Sequence, residues 1–435
     1  MESSRGRASL AKPRPGGQID AMTAKPANIP VKGSILMLTP DRRIDRRITL
    51  SCESLELAGW KTAILAMPAD EQSLYDPPNV ERISVDAGSA SGVGFVAGAY
   101  RLVRSALPMN GALMRWSKAV AWRFLVDPDS YYWRLFKRDL AGRHPDIVVA
   151  NDLPMLPVAA RLAGQTGAKL IYDSHELYCE QDFPEPQKRI WRQVEAKYIC
   201  RCNAVITING SIARELEQRY SLAKAHVVLN AERTRQSPER SRYFHERFKL
   251  TPDALVLLFQ GGIIGGRQLE TLVRAFTEVE DRRINLVFLG DGVLAGRLQR
   301  LARAAGIAGR VHFHPAVAQD RLLALSAAAD GGVVPYQANC LNNHYCTPNK
   351  LFEFIAAGVP IVASDLPEIR NIVAGYHIGM VGDTSSPESL ARLIDQFFAD
   401  QKRRREWRSN LAKARRELSW EREGAKLVSI YEAFR

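Results

Sequence analysis

Short, continuous apolar runs recur along the chain, separated by polar turns and by longer segments that keep their apolar residues on one helical face. In the N-terminal half these runs are Ser34 to Thr39 (SILMLT), KTAILAM from Lys61, Ile147 to Ala150 (IVVA) and Lys169 to Asp173 (KLIYD). Each has the length and composition of a buried strand. TLSCESLELAGW places Leu50, Leu55, Leu57 and Ala58 ahead of Gly59, the pattern of a helix ended by glycine. PVAARLAG reads as a further helix between the last two strands. Strand, helix, strand in repetition predicts a parallel sheet.

The same alternation restarts beyond the polar stretch Glu232 to Arg242, the best linker candidate in the chain. Its strand-length runs are Ala254 to Gln260, Ile284 to Gly290, Arg310 to His314, Gly331 to Pro335 and Val359 to Ser364. Beyond Asp400, Trp407, Leu411, Leu418, Trp420 and the Leu427 to Tyr431 segment sit among charges, as in terminal helices with one packed face. A chain of 435 residues suits two domains and an appendage. The expected division is a flexible tail (1–32), an N-terminal α/β domain (33–235), a C-terminal α/β domain (236–415) and a terminal helix (416–435).

Composition narrows the class. Hydrophobic residues at 46% and charged residues at 25% are those of an ordinary globular protein, not of a disordered or fibrous chain. A net charge of +13 predicts anionic partners: phosphorylated substrates, nucleic acid or an acidic membrane face. The six cysteines are scattered, and Cys200 and Cys202 have no second pair or histidine cluster to complete a zinc site, so they read as reduced thiols. The first thirty residues lack an apolar core segment and read as a flexible tail, not a signal peptide. No run approaches a membrane span. The expected location is the cytoplasm, with attachment to the inner face of the cell membrane left open.

The most informative stretch is HYCTPNKLFEFIAAGVPIVAS. Thr347 can cap a helix, Pro348 suits its first position, and Gly358 ends it before a strand. A helix opening favours an anion through unpaired N–H groups and the helix dipole. Asn349 and Lys350 add donors, and Glu353 shares their face, where its carboxylate could accept hydrogen bonds from a ribose diol. The alternative is a capped structural helix in which Lys350 pairs with Glu353. FQGGIIGGRQLETLVRAF supplies a second strand-to-helix turn, with Gly261, Gly262, Gly265 and Gly266 ahead of Arg267. Glycines let backbone approach phosphate oxygens, and arginine offers a bidentate fork. FLGDG (Phe288 to Gly292) reads as structural.

Taken together, DRRIDRRITLSCESLELAGW, ANDLP, YDSHELY, VVLNA, GGIIGGRQLETLVRAF, LGDG and PNKLFEFIAAGVPIVASDLPEI resemble, in order and spacing, the retaining family 4 glycosyltransferases. The likeness runs from about Ser34 to the C-terminus. It implies the GT-B fold, two Rossmann-like domains with parallel sheets facing across a cleft, the C-terminal helix returning to the first domain. It also implies transfer from a nucleotide-sugar donor to a glycan or lipid-linked hydroxyl, with anomeric configuration retained, no cofactor and no metal, as in cell-envelope polysaccharide or glycolipid synthesis. Glu353 matches the second residue of the family's Glu, seven residues, Glu pattern, which usually holds the ribose; Tyr345 stands where the first would be. Arg267 matches the family's phosphate-binding basic residue, while Gly262 replaces a basic residue at the preceding strand end. Asn151 stands where an active-site histidine is common. Asp152, His175 and Glu176 are the candidate catalytic or acceptor residues, with Asn151 and Arg46 on the acceptor side. The alternative for His175 is a buried residue that anchors its loop.

Between Tyr100 and Arg138, eight basic residues interleave with Trp116, Trp122, Tyr131, Tyr132 and Trp133. This mixture fits either a surface lying on anionic lipid or helices packed by their aromatic faces. Nucleic-acid binding lacks a supporting signature. Two other readings stay open: a sugar-nucleotide epimerase of the same fold, and a non-catalytic transferase-like subunit. A dinucleotide oxidoreductase is disfavoured, because no strand leads into a G-x-G-x-x-G turn with a later acidic residue.

Overall fold

Strand residues in both halves bury side chains on both faces, which requires a helical layer on each side of each sheet. A computed structural model of the chain, describing residues 30–69, 78–84, 127–233 and 238–434, has this arrangement. The first sheet has seven parallel strands in the order β3-β2-β1-β4-β5-β6-β7. They are β1 (Gly33–Thr39), β2 (Trp60–Ala66), β3 (Val80–Arg82), β4 (Ile147–Asn151), β5 (Lys169–Ser174), β6 (Ala204–Thr207) and β7 (His226–Val227). The second has six in the order β10-β9-β8-β11-β12-β13, from β8 (Leu255–Gln260), β9 (Ile284–Leu289) and β10 (Val311–His314) to β11 (Gly331–Val334), β12 (Ile361–Ser364) and β13 (Gly379–Gly382).

The alternation of side chains along each strand sorts the core. Leu36, Leu38, Val148, Ala150, Leu170 and Tyr172 face the helices Leu156–Thr166, Glu185–Ile199 and Gly210–Tyr220. Their neighbours Ile35, Met37, Ile147, Val149 and Ile171 face the helix Arg46–Leu57 on the opposite side. In the second lobe Val256 and Leu258 face the helix Asn349–Ala357, while Leu257 and Phe259 face the helices Leu269–Glu278 and Pro387–Ala399. The short or partly exposed strands β3, β6, β7 and β13 were not expected from the sequence pattern.

The chain ends by crossing back. Trp407 and Leu411 of the helix Gln401–Glu417 pack on the second lobe, whereas Trp420, Leu427, Ile430 and Tyr431 of the last helix, Trp420–Glu432, join the first lobe's core. Trp420 donates its indole N–H to Ser54 Oγ at 2.9 Å. Backbone pairing at the crossing is direct: Trp420 N–H donates to Glu232 O at 2.8 Å. Lys32, at the edge of the expected tail, pairs with Glu432. The rest of that tail (1–29) and part of the linker candidate (234–237) lie outside the described residues.

Of the basic and aromatic stretch, residues 100–126 also lie outside them. The remainder enters the helix Pro128–Leu140, whose Tyr132 and Trp133 pack against the first-lobe core. All six cysteines are free. Among the described residues no helix is long and apolar enough to cross a membrane.

Leu427 is wholly buried on the first lobe although it belongs to the last helix. Leu427→Ala is expected to cost about 2–5 kcal/mol by the lost transfer and cavity terms. Equilibrium denaturation measures it; a loss below about 1 kcal/mol would show that this docking contributes little.

Candidate functional site

Both sheets present the carboxyl ends of their strands to one cavity of about 590 Å³ between the lobes. The first lobe lines it with Asp41 and Asp45 after β1, Asp152 after β4, His175 and Glu176 after β5, and Asn230. The second lobe contributes Gln260, Gly261, Gly262, Arg267, Tyr336, Asn342, Asn349, Lys350 and Glu353. Nine residues expected from sequence meet here: Asp152, His175, Glu176, Gly261, Gly262, Arg267, Asn349, Lys350 and Glu353.

The second-lobe wall is built around two helix openings. The helix Asn349–Ala357 starts one residue later than expected: Pro348 is its N-cap and no side chain caps the first turn. Thr347, expected as the cap, instead accepts a hydrogen bond from Asn209 Nδ2 of the first lobe at 3.2 Å. Gly358 ends the helix in the left-handed conformation at φ 70°. Lys350 is buried, and its Nζ has no hydrogen-bond partner; it stands 3.9 Å from the Phe259 ring centre and 5.3 Å from that of Tyr336. Burial, then the neighbouring Arg267 guanidinium, hold its pKa well below the usual lysine value. The Lys350 and Glu353 ion pair of the structural reading does not form. Glu353 Oε2 accepts instead from Gln260 Nε2 at 2.6 Å, and Ser326 Oγ holds Gln260 Oε1 at 2.7 Å.

Arg267 precedes the second helix opening, which also lacks a side-chain cap, and donates from Nη1 to Gly262 O at 2.6 Å. The loop that carries it rests on the FLGDG turn. A Cβ on Gly290 would lie 2.2 Å from Gly261 O, and one on Gly292 2.2 Å from Ile263 O. Those two glycines, at φ 147° and 159°, let one strand end lie against the other.

Across the cavity, Asp173 receives a bidentate pair from Arg47, Nε at 3.1 Å and Nη2 at 2.9 Å. The remaining Arg47 nitrogen donates to Val228 O at 2.7 Å and Asn230 Oδ1 at 2.8 Å. His175 lies between carboxylates, with Nδ1 3.5 Å from Asp152 and Nε2 3.6 Å from Asp173. Burial alone would lower its pKa, but Asp152 and Asp173 outweigh it and raise it to about 9. Burial pushes Asp152 up to about 7 against the opposing pull of His175. For Asp173 the order reverses: Arg47 and His175 overcome burial and keep it well below the usual carboxylate range. Asp152 is held at φ 64°, and one of its oxygens accepts the His175 backbone N–H at 2.9 Å.

Two acceptor-side expectations are corrected. Asn151 is buried at the end of β4 and donates to Leu38 O at 3.1 Å, so it satisfies the neighbouring strand end and does not line the cavity. Arg46 pairs with Glu232 and is not among the lining side chains, although Asp45 and Glu353 of the cavity act on its charge. Tyr345 packs against the first-lobe core, and its carbonyl accepts from Asn209 Nδ2 at 2.7 Å. Asn342, unremarked in the sequence, bridges the lobes: its Oδ1 accepts Leu177 N–H at 3.0 Å and its Nδ2 donates to Glu176 at 2.8 Å. Asp41, Asp45 and Gln260 were also missed; each follows or ends a strand, a position that could have flagged it. Among the described residues no group of three or more His, Cys, Asp or Glu is placed to hold a metal ion.

Two family models match in tandem: "Glycosyl transferase 4-like domain" over residues 44–231 and "Glycosyl transferases group 1" over residues 243–414. The chain belongs to the group 1 glycosyl transferases. Its fold is GT-B. Sucrose-phosphate synthase from Thermosynechococcus elongatus superposes with a TM-score of 0.69 at 15% identity, covering 92% of this chain and 99% of that one. Anabaena HepE, solved with UDP and glucose, gives 0.68 at 14%, covering 92% and 100%. WaaG, a glycosyltransferase involved in lipopolysaccharide biosynthesis, gives 0.64 at 13%, covering 91% and 99%. In sequence, the D-inositol 3-phosphate glycosyltransferases of Xylanimonas cellulosilytica and Streptomyces avermitilis are 26% and 27% identical. Those alignments cover 58% and 55% of this group 1 chain, and 61% and 54% of the relatives' own lengths.

The site carries a stability signature. His175 is protonated in the native protein up to about pH 9, whereas an ordinary histidine releases its proton near 6.5. The stabilisation is complete below pH 6.5 and is lost as pH rises through 9. The unfolding free energy should fall by on the order of 2–3 kcal/mol across that window, and His175→Gln should flatten the slope. Denaturant midpoints at pH 6, 7.5 and 9 test this; parallel profiles for the two proteins would refute it.

Proposed function

We propose that this chain transfers a sugar from a nucleotide-sugar donor to a hydroxyl group of a glycan or lipid-linked acceptor, in the cleft between its lobes. The observation that carries the reading is Lys350: a buried, unpartnered lysine amine beside Arg267, in a cavity that two uncapped helix openings also face. A burial cost of this kind is relieved by an anion. A diphosphate supplies the charge and the acceptor atoms that Lys350, Arg267 and the helix openings lack. Glu353, on the same helix face and fixed by Gln260, is positioned to accept hydrogen bonds from a ribose diol.

The chemistry follows from where charge develops. As the bond from sugar to diphosphate breaks, negative charge grows on the leaving β-phosphate, and preorganised cations stabilise that charge most. The acceptor hydroxyl must lose a proton, to a carboxylate of the opposite wall or to the departing phosphate. Retention of configuration, absence of a metal requirement and a role in cell-envelope polysaccharide or glycolipid synthesis belong to this reading. Its support is family membership and the likeness of the cavity residues to the retaining family 4 pattern. A lipid-linked acceptor would bring the protein to an anionic membrane surface.

At least one nucleoside diphosphate, tried in the order UDP, GDP and then the others, should raise the melting temperature, because a ligand bound only by the native state stabilises it. Lys350→Ala should weaken that shift. Because burial and Arg267 hold the Lys350 pKa down, an anion bound beside it should draw a proton onto the amine, so affinity should fall as pH rises. Titration calorimetry in buffers of different ionisation enthalpy reads the uptake, and Lys350→Arg, permanently charged, should abolish it. No response to any nucleotide at millimolar concentration would sink the proposal. Nucleotide release that needs no acceptor would favour an epimerase instead, and binding without turnover a non-catalytic subunit.

A further inference from the structure

We propose that the acceptor is an uncharged, hydroxyl-rich ring and not a sugar or cyclitol phosphate, because four carboxylates form the wall opposite the donor cations. The inference rests on the transfer reading above and adds the class of acceptor.

Asp41, Asp45, Asp152 and Glu176 reach the cavity from three different strand ends. Their hydrogen-bond partners are mostly neutral donors, while His175, Arg82 and Arg46 act on them as nearby charges. Thr39 Oγ1 donates to Asp41 at 2.9 Å, Asp45 accepts the Arg47 backbone N–H at 2.7 Å as the cap of its helix, and Asn342 donates to Glu176. The guanidinium of Arg47 is committed to Asp173, Val228 and Asn230. Arg82 donates to the main-chain oxygens of Asp41 and Met67. Among the described residues that line the cavity on the first-lobe side, His175 is the cationic group.

This wall is built to receive hydrogen-bond donors. Each ionised carboxylate accepts several, and O–H to carboxylate bonds are the short, charge-assisted kind. Burial raises both Asp41 and Glu176, which marks carboxylates that gain from further donors. His175 lines the cavity, with its charge balanced by Asp152 and Asp173 on either side. A ring with several hydroxyls satisfies these groups. A phosphate on it would bring two negative charges among like charges in a partly desolvated cleft. The cleft is therefore divided, with Lys350 and Arg267 on the donor side and four of its carboxylates around His175 on the other, and differs from what an inositol phosphate acceptor needs.

The test uses the full chain loaded with whichever nucleoside diphosphate stabilises it, titrated calorimetrically with inositol, inositol 3-phosphate and inorganic phosphate. A second protein carries Asp41→Asn and Asp45→Asn. Asparagine caps a helix as well as aspartate does, so this variant keeps its helix start. The loaded wild type is expected to take neither phosphate probe, and the double variant to bind inositol 3-phosphate at least about tenfold more tightly than wild type does. Wild-type protein that prefers inositol 3-phosphate to inositol would overturn the proposal, as would a double variant with no gain. Nucleotide loading is read before any acceptor probe is added, and its failure bears on the transfer reading alone.

Discussion

One buried guanidinium ties together the parts of the molecule that must not move relative to the cleft. Arg47 sits in the first turn of the helix after β1, holds Asp173 at the end of β5 with two hydrogen bonds, and reaches Val228 and Asn230 where the chain leaves the first sheet for the second lobe. Neither charge is tolerable alone in that place, because each is nearly inaccessible to water. Breaking such a pair by removing one partner typically costs about 3–5 kcal/mol. The pair also sets the electrostatics of the site, since the carboxylate it fixes is one of the two that keep His175 charged.

The second lobe meets this frame mainly through polar contacts, with Leu341 and Tyr345 adding apolar packing against the first-lobe core. Asn342 spans to Glu176 and Leu177, Asn209 to the Tyr345 carbonyl and Thr347, and Glu368 accepts the Ser211 N–H at 2.7 Å. Interfaces of this kind permit relative motion of lobes more readily than apolar ones. The terminal helix works the other way: its Leu427 and Tyr431 are buried in the first lobe's core, so this crossing is held by apolar packing. The substitution at Tyr345 belongs to this arrangement. The aromatic ring at that position packs on the first lobe and does not line the cavity.

Much of the architecture was legible because buried strands write themselves as continuous apolar runs and glycines mark where helices stop. All the runs singled out became strands, and Gly358 ends its helix with the positive φ that glycine accommodates. The strands that were missed are short or partly exposed; Gly379–Gly382 carries two glycines and one valine, too little pattern to separate it from a turn. The second-lobe side of the site was legible for the same reason, since phosphate chemistry needs glycine turns and helix starts that leave a local imprint. The acceptor wall was legible only in part: Asp152, His175 and Glu176 were expected and line it, whereas Asp41 and Asp45 were missed. Asn151 has the residue type and position of a site residue, yet the carbonyl of an adjacent strand, distant in sequence, claims its amide. Arg46 was lost to Glu232 in the same way. Whether a polar side chain at a strand end faces the cleft or the neighbouring strand depends on long-range partners that one sequence does not display.

The two walls carry opposite charge, and that division has a mechanistic consequence beyond recognition. On the proposed transfer reading, cations near a donor diphosphate would stabilise charge that appears late, as the leaving group departs, and the carboxylates opposite would stabilise positive charge on the sugar ring and on the attacking hydroxyl's proton. A cleft with both signs in fixed places is complementary to a charge-separated transition state more than to the neutral acceptor or to the intact donor. The cost of assembling it is visible in the protein itself: a lysine driven down by burial and by Arg267, and an aspartate driven up to about 7 by burial. Strain of that kind persists only where surrounding structure enforces it. Here Arg47 with Asp173 enforces it from one lobe, and Gln260 with Ser326 from the other.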